Sequence, residues 1–76
     1  MPHIEVKCYP GRTEEQKSLL AQKIAEDVSE IFGSGMSTIS VAIRDVPQED
    51  WKEQVWDRDI VPNEALLYKK PGYTPK

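Results

Sequence analysis

The sequence predicts an α/β chain, an α+β arrangement built on a single βαβ unit with short C-terminal helices. Two segments alternate apolar and polar residues, Pro2 to Tyr9 and Thr38 to Val46, as half-buried strands do. One amphipathic helical pattern lies between them. No third strand follows, so the unit alone leaves a sheet too small to be stable, since three or more strands with an apolar face are needed.

In the first segment Ile4, Val6 and Cys8 share one face, and His3, Glu5, Lys7 and Tyr9 the other. Pro10-Gly11 ends it, as proline and glycine together mark a turn. Thr13-Glu14-Glu15-Gln16 has the form of a capping box. The Thr13 hydroxyl accepts from the Gln16 N–H, and the Gln16 side chain reaches back. Two acids in the first turn suit the positive end of the helix dipole. The helix is expected from about Glu14 to Phe32, with Leu20, Ile24, Val28 and Ile31 as its apolar stripe and Ala21, Ala25 and Phe32 beside it. Gly33 suits the left-handed stop. After the Ser34–Ser37 loop, Ile39, Val41 and Ile43 face one way in the second strand, and Ser40, Ala42 and Arg44 the other. A helix between two strands implies a parallel pair. Pro47 closes the unit. A short helix is expected over Gln48 to Asp59, carrying Trp51, Val55 and Trp56, and another over Asn63 to Lys70. An extended tail or turn follows at Lys70-Pro71-Gly72-Tyr73.

Seventy-six residues make one domain, 1–76. A chain this short buries only about 60% of its unfolded surface. Cys8 is the only cysteine, which excludes an internal disulfide and fits a reducing cytoplasm. A single histidine and scattered acids give no metal-ligand spacing. Association with a second copy remains, a two-fold dimer being the commonest form. It would complete a four-stranded sheet with both helices on one face. A net charge of −3 and no basic run argue against a nucleic-acid partner. No apolar run approaches the ~18 residues of a membrane span, and the N-terminus lacks the pattern of a secretory signal.

The chain begins Met1-Pro2. Removal of the methionine would leave a secondary amine at the start of the first strand. Such a nitrogen can accept a proton from carbon and return it elsewhere. With Met1 retained, the same nitrogen is an amide whose lone pair is delocalised, and it has no basicity.

Taken together, Pro2-His3-Ile4-Glu5-Val6, Pro10-Gly11-Arg12, Thr13-Glu14-Glu15-Gln16-Lys17 and Thr38-Ile39-Ser40-Val41-Ala42-Ile43, reaching Trp51, resemble the 4-oxalocrotonate tautomerase family. The likeness covers roughly residues 2 to 55. The tail Lys69-Lys70-Pro71-Gly72-Tyr73 resembles a phenylpyruvate-tautomerase-like subgroup. The resemblance implies that Pro2 is the general base, that Arg12 binds a substrate carboxylate, and that Trp51 shapes the pocket. The family carries a second arginine on the second strand; Ser40 stands there instead. It also implies a cofactor-free enzyme assembling as dimers or as hexamers of dimers. A dimer is favoured, because the tail after Ile60 adds surface over what a hexamer leaves free.

Keto–enol isomerisation needs a base, a carboxylate clamp and a donor for the enolate oxygen. Ser40 offers a hydroxyl without charge, so the expected substrate is a 2-oxo or enol monocarboxylate with an apolar body, such as phenylpyruvate. Arg44 lies about 13 Å along the strand at the usual rise and does not replace the missing arginine. Arg58 or Lys69 of a second copy are open alternatives. His3 adjoins the base, but a histidine on a polar sheet face is ordinarily just solvated. Trp56 is read as core or interface, Cys8 as a small apolar residue facing the helix, and the Lys69-Lys70 pair as solvent-facing. Two other readings stand beside the isomerase. One is a hydratase or dehalogenase that uses a carboxylate, Glu5 or Glu49, to activate water. The other is a non-catalytic small-molecule-binding dimer, favoured if Met1 is retained.

Overall fold

The structure is a computed structural model of the chain and describes residues 1–75. Lys76, the last residue of the expected domain, lies outside the described residues. The chain divides into two compact units, Met1–Asp45 and Val46–Lys76.

The first unit is the expected βαβ arrangement. Strand β1 spans His3–Cys8, helix α1 spans Glu14–Phe32, and strand β2 spans Ser40–Asp45. The strands are parallel, with His3 opposite Ser40, Val6 opposite Ile43 and Cys8 opposite Asp45. Helix α1 begins and ends where expected. The Gln16 N–H donates to Thr13 Oγ1 at 3.1 Å, and the Thr13 N–H donates to Gln16 Oε1 at 2.9 Å. Gly33 terminates the helix at φ 72°, a left-handed conformation that glycine adopts without steric cost. Lys17 Nζ sits 3.0 Å from Asp45 Oδ1 and 3.1 Å from its Oδ2. That pair links α1 to the end of β2. Ile4, Val6, Val41 and Ile43 lie on the covered face and are half-buried.

The helix stripe differs from expectation at its margins. Ala21, Ile24, Ala25 and Val28 are half-buried. Leu20, Ile31 and Phe32 are exposed, Ile31 by 76% and Phe32 by 73%. Two strands are too narrow to cover the full width of an amphipathic helix of this length. Cys8 is half-buried on the helix side. β2 begins two residues later than expected, because Met36–Thr38 closes a 3-10 turn.

The second unit departs further. The helix expected over Gln48 to Asp59 is a 3-10 turn, Gln48–Asp50, followed by a π-helix, Lys52–Ile60. Its end is marked by the Val61 N–H donating to the Trp56 carbonyl at 2.9 Å, the five-residue step of a π-helix. Lys52 and Asp57 pair at 2.9 Å across the same spacing. In an α-helix those positions would sit about 140° apart, so the wider turn is what lets them meet. The helix expected over Asn63 to Lys70 shrinks to a 3-10 turn, Glu64–Leu66. Among the described residues, Val46 and Val55 are the buried apolar core, at 2% and 5% exposure.

Candidate active site

Strand pairing sets the geometry around Pro2. Pro2 precedes β1 and is half-buried, with Met1 fully exposed before it. The Ser40 N–H donates to the Pro2 carbonyl at 3.2 Å, which carries the ladder one residue beyond β1. The two side chains of the first register pair also meet. His3 Nδ1 and Ser40 Oγ are 2.6 Å apart, on the sheet face away from α1. Pro2, His3 and Ser40 therefore form one group. The sequence placed His3 and Ser40 on polar faces; only the register shows that those faces coincide and that the two residues are opposite one another.

Further along the same face, Glu5 is held by two cations. Arg44 Nε lies 3.5 Å from Glu5 Oε2, and Lys7 Nζ lies 3.9 Å from Oε1. A carboxylate held in this way is poorly placed to activate water. Arg44 is likewise engaged, by Glu5.

Arg12 is not beside Pro2 of its own chain. It is exposed, and its Nη1 donates to the Tyr9 carbonyl at 3.3 Å. Tyr9 follows the far end of β1. Six strand residues at about 3.3 Å each put roughly 20 Å between the Pro2 and Arg12 ends of the strand.

Trp51 belongs to the second unit, where it is half-buried. Its Nε1 donates to the Tyr73 hydroxyl at 2.9 Å, and the Tyr73 ring lies 5.4 Å from that of Trp56. This unit also contains a cavity of about 290 Å³ lined by Trp56, Ile60, Leu67, Lys70 and Tyr73 among others. The C-terminal tail thus folds back on the π-helix through Tyr73, a contact the sequence did not signal. Among the described residues no group of three or more His, Cys, Asp or Glu side chains is arranged to hold a metal ion. No described helix is long and apolar enough to cross a membrane.

The first unit is thus a small βαβ unit with a proline at the head of its first strand and the Ser40 hydroxyl in the same group. The comparisons with known proteins are specific. The sequence model of the family described as Tautomerase enzyme matches residues 2–55. Tautomerase PptA of Enterobacter sp. (strain 638) is 51% identical over 75 residues, covering 97% of this chain and 99% of that one. A probable tautomerase of Xylella fastidiosa (strain 9a5c) is 42% identical, covering 96% and 89%. Among solved structures, a 4-oxalocrotonate tautomerase isozyme of Methylibium petroleiphilum matches with a TM-score of 0.63 and 36% identity, over 66% of this chain and 81% of that one. YwhB, a homologue of 4-oxalocrotonate tautomerase, matches at 0.60 and 38%, over 62% and 77%. The chain belongs to the tautomerase family, within its 4-oxalocrotonate tautomerase branch, and is an enzyme of the isomerase class.

Proposed function

We propose that the chain, once Met1 is removed, interconverts the keto and enol forms of a 2-oxo monocarboxylate with an apolar body, phenylpyruvate being the model substrate. In the enolising direction the Pro2 nitrogen takes a proton from the carbon next to the carbonyl. The C–H electrons form the C=C bond, and the carbonyl π pair moves to oxygen. That oxygen then takes a proton from solvent, and Pro2 releases its own. The observation that carries this reading is the bond from the Ser40 N–H to the Pro2 carbonyl, 3.2 Å. It keeps a hydroxyl-bearing residue beside Pro2, which supports Ser40 as a donor to the oxygen that gains charge. A hydroxyl without a cation suits a substrate with one carboxylate better than one with two. Of the two carboxylates open to the alternative hydration chemistry, Glu5 is ion-paired to Arg44 and Lys7, which counts against it and leaves Glu49 for that reading.

Arg12 is the proposed carboxylate clamp, through two parallel hydrogen bonds from its guanidinium. The roughly 20 Å length of β1 means that it would serve the Pro2 of a second copy. Completion of the two-stranded sheet by dimerisation is proposed on the same ground, and it would give the exposed Leu20, Ile31 and Phe32 an apolar surface to pack on. Trp51, its indole fixed by Tyr73, is proposed as an aromatic wall for the substrate body. The half-buried free thiol of Cys8 supports a reducing cytoplasm as the working compartment.

The test is ketonisation of the enol of phenylpyruvate by Met1-trimmed protein and its Pro2→Ala variant, followed by loss of ultraviolet absorbance. The variant should fall by about 100-fold or more, the usual worth of a positioned general base, with its circular dichroism unchanged. Equal rates would exclude Pro2 as the base.

A further inference from the structure

A serine hydroxyl has one hydrogen to donate and two lone pairs. Next to Pro2 it can use that hydrogen in only one direction at a time. If Ser40 donates to the ring nitrogen of His3, it presents lone pairs to any substrate oxygen, and those repel developing negative charge. If the His3 Nδ1–H donates to Ser40 Oγ, the Ser40 hydrogen is free for the substrate. The 2.6 Å separation couples the two choices, so the ring decides what the hydroxyl offers. Other freedoms of Ser40 are already restricted. Its backbone is held by the N–H bond to the Pro2 carbonyl and by its place at the start of β2 opposite His3.

We infer that His3 is a positioning residue. Its Nδ1–H donates to Ser40 Oγ and leaves the Ser40 O–H to donate to the substrate oxygen that gains charge as Pro2 removes the proton from carbon. No proton leaves Ser40 or His3 in this step; the oxygen is stabilised by a hydrogen bond. The inference rests on Pro2 as the base, and it assigns His3 a task performed wholly through Ser40.

A double-mutant cycle in the enol assay separates this from a structural role. Ser40→Ala should lower kcat by about 10- to 100-fold, somewhat less than a fully enclosed oxyanion donor, with KM within about threefold. His3→Leu should lower kcat similarly. His3→Asn, whose side-chain amide can donate from nearly the same place, should recover most of the loss. The His3→Leu/Ser40→Ala double variant should be no slower than Ser40→Ala alone. Multiplying losses in the double variant, or an unchanged kcat in His3→Leu, would overturn the inference.

A second readout does not depend on turnover. The chain has a single histidine, so long-range proton–nitrogen correlation spectra at alkaline pH report one ring. The Nδ1–H form is expected, shifting toward Nε2–H in Ser40→Ala. A bare Nδ1 in the otherwise unaltered protein would show Ser40 donating to His3 and would contradict the assignment. Absence of turnover by the trimmed protein would instead remove Pro2 as the base, with the ring tautomer still deciding the direction of the hydrogen bond.

Discussion

At the residue scale the chemistry turns on which atoms carry lone pairs and which carry hydrogens. Pro2, Ser40 and His3 are within one or two hydrogen bonds of each other, while Arg12 is tethered to the Tyr9 carbonyl at the other end of β1. A bidentate guanidinium–carboxylate contact is a charge-assisted bond worth about 1.5–3 kcal/mol. Arg12→Ala should therefore raise KM for phenylpyruvate enol by about 10- to 100-fold while kcat changes little. Steady-state kinetics with saturating enol check this, and an unchanged KM would remove Arg12 from the substrate. The candidate residues Pro2, Arg12 and Trp51 are picked out by the sequence's resemblance to the family, and Ser40 by its departure from it. The part played by His3 is not picked out. A polar-face histidine has no signature until the strand register pairs it with a particular partner.

At the scale of elements, local chemistry was legible and long-range balance was not. Thr13, Gln16 and Gly33 fix the two ends of α1 by short-range bonds, and alternation fixes the strand faces. The second unit differs from its expected helices because composition cannot separate an α-helix from a 3-10 turn leading into a π-helix. The choice there depends on where Lys52 meets Asp57 and where Trp51 meets Tyr73. The joint between α1 and β2 has a pH signature. The hydrogen bond to Asp45 raises Lys17 above the usual lysine value, 10.5, with smaller help from the charges of Asp45 and Glu14. Because the folded value is the higher one, this stabilisation is complete below the unfolded lysine value. It is lost as pH climbs through the folded value. The melting temperature of the chain should fall faster with pH above about pH 10 than that of Lys17→Met. Parallel profiles would show that the pair adds nothing.

For the whole molecule, the two-stranded sheet and the exposed Leu20, Ile31 and Phe32 describe a protomer whose apolar surface is unfinished. The sequence pointed to this through its missing third strand, although the partner's position depends on shape that no motif encodes. If Arg12 serves the Pro2 of another copy, a chain without the base and a chain without the carboxylate clamp should repair each other. Co-refolded Pro2→Ala and Arg12→Ala protomers form mixed dimers in which one site has both groups. At enol concentrations well below KM, where Arg12→Ala alone is slow, a two-fold dimer should regain about a quarter of the unaltered rate. No recovery despite confirmed mixing would show that Pro2 and Arg12 act from the same chain. Sedimentation should give the mass of two chains; six would replace the dimer by a hexamer.

The whole scheme depends on a free amine at position 2, since the peptide bond to Met1 removes the basicity of the Pro2 nitrogen. The most direct measurement compares phenylpyruvate enol ketonisation by Met1-trimmed and Met1-bearing protein, with intact mass confirming each form. Turnover by the trimmed form, and a rate no greater than buffer for the Met1-bearing form, is the predicted result. Equal turnover by both forms would contradict Pro2 as the base.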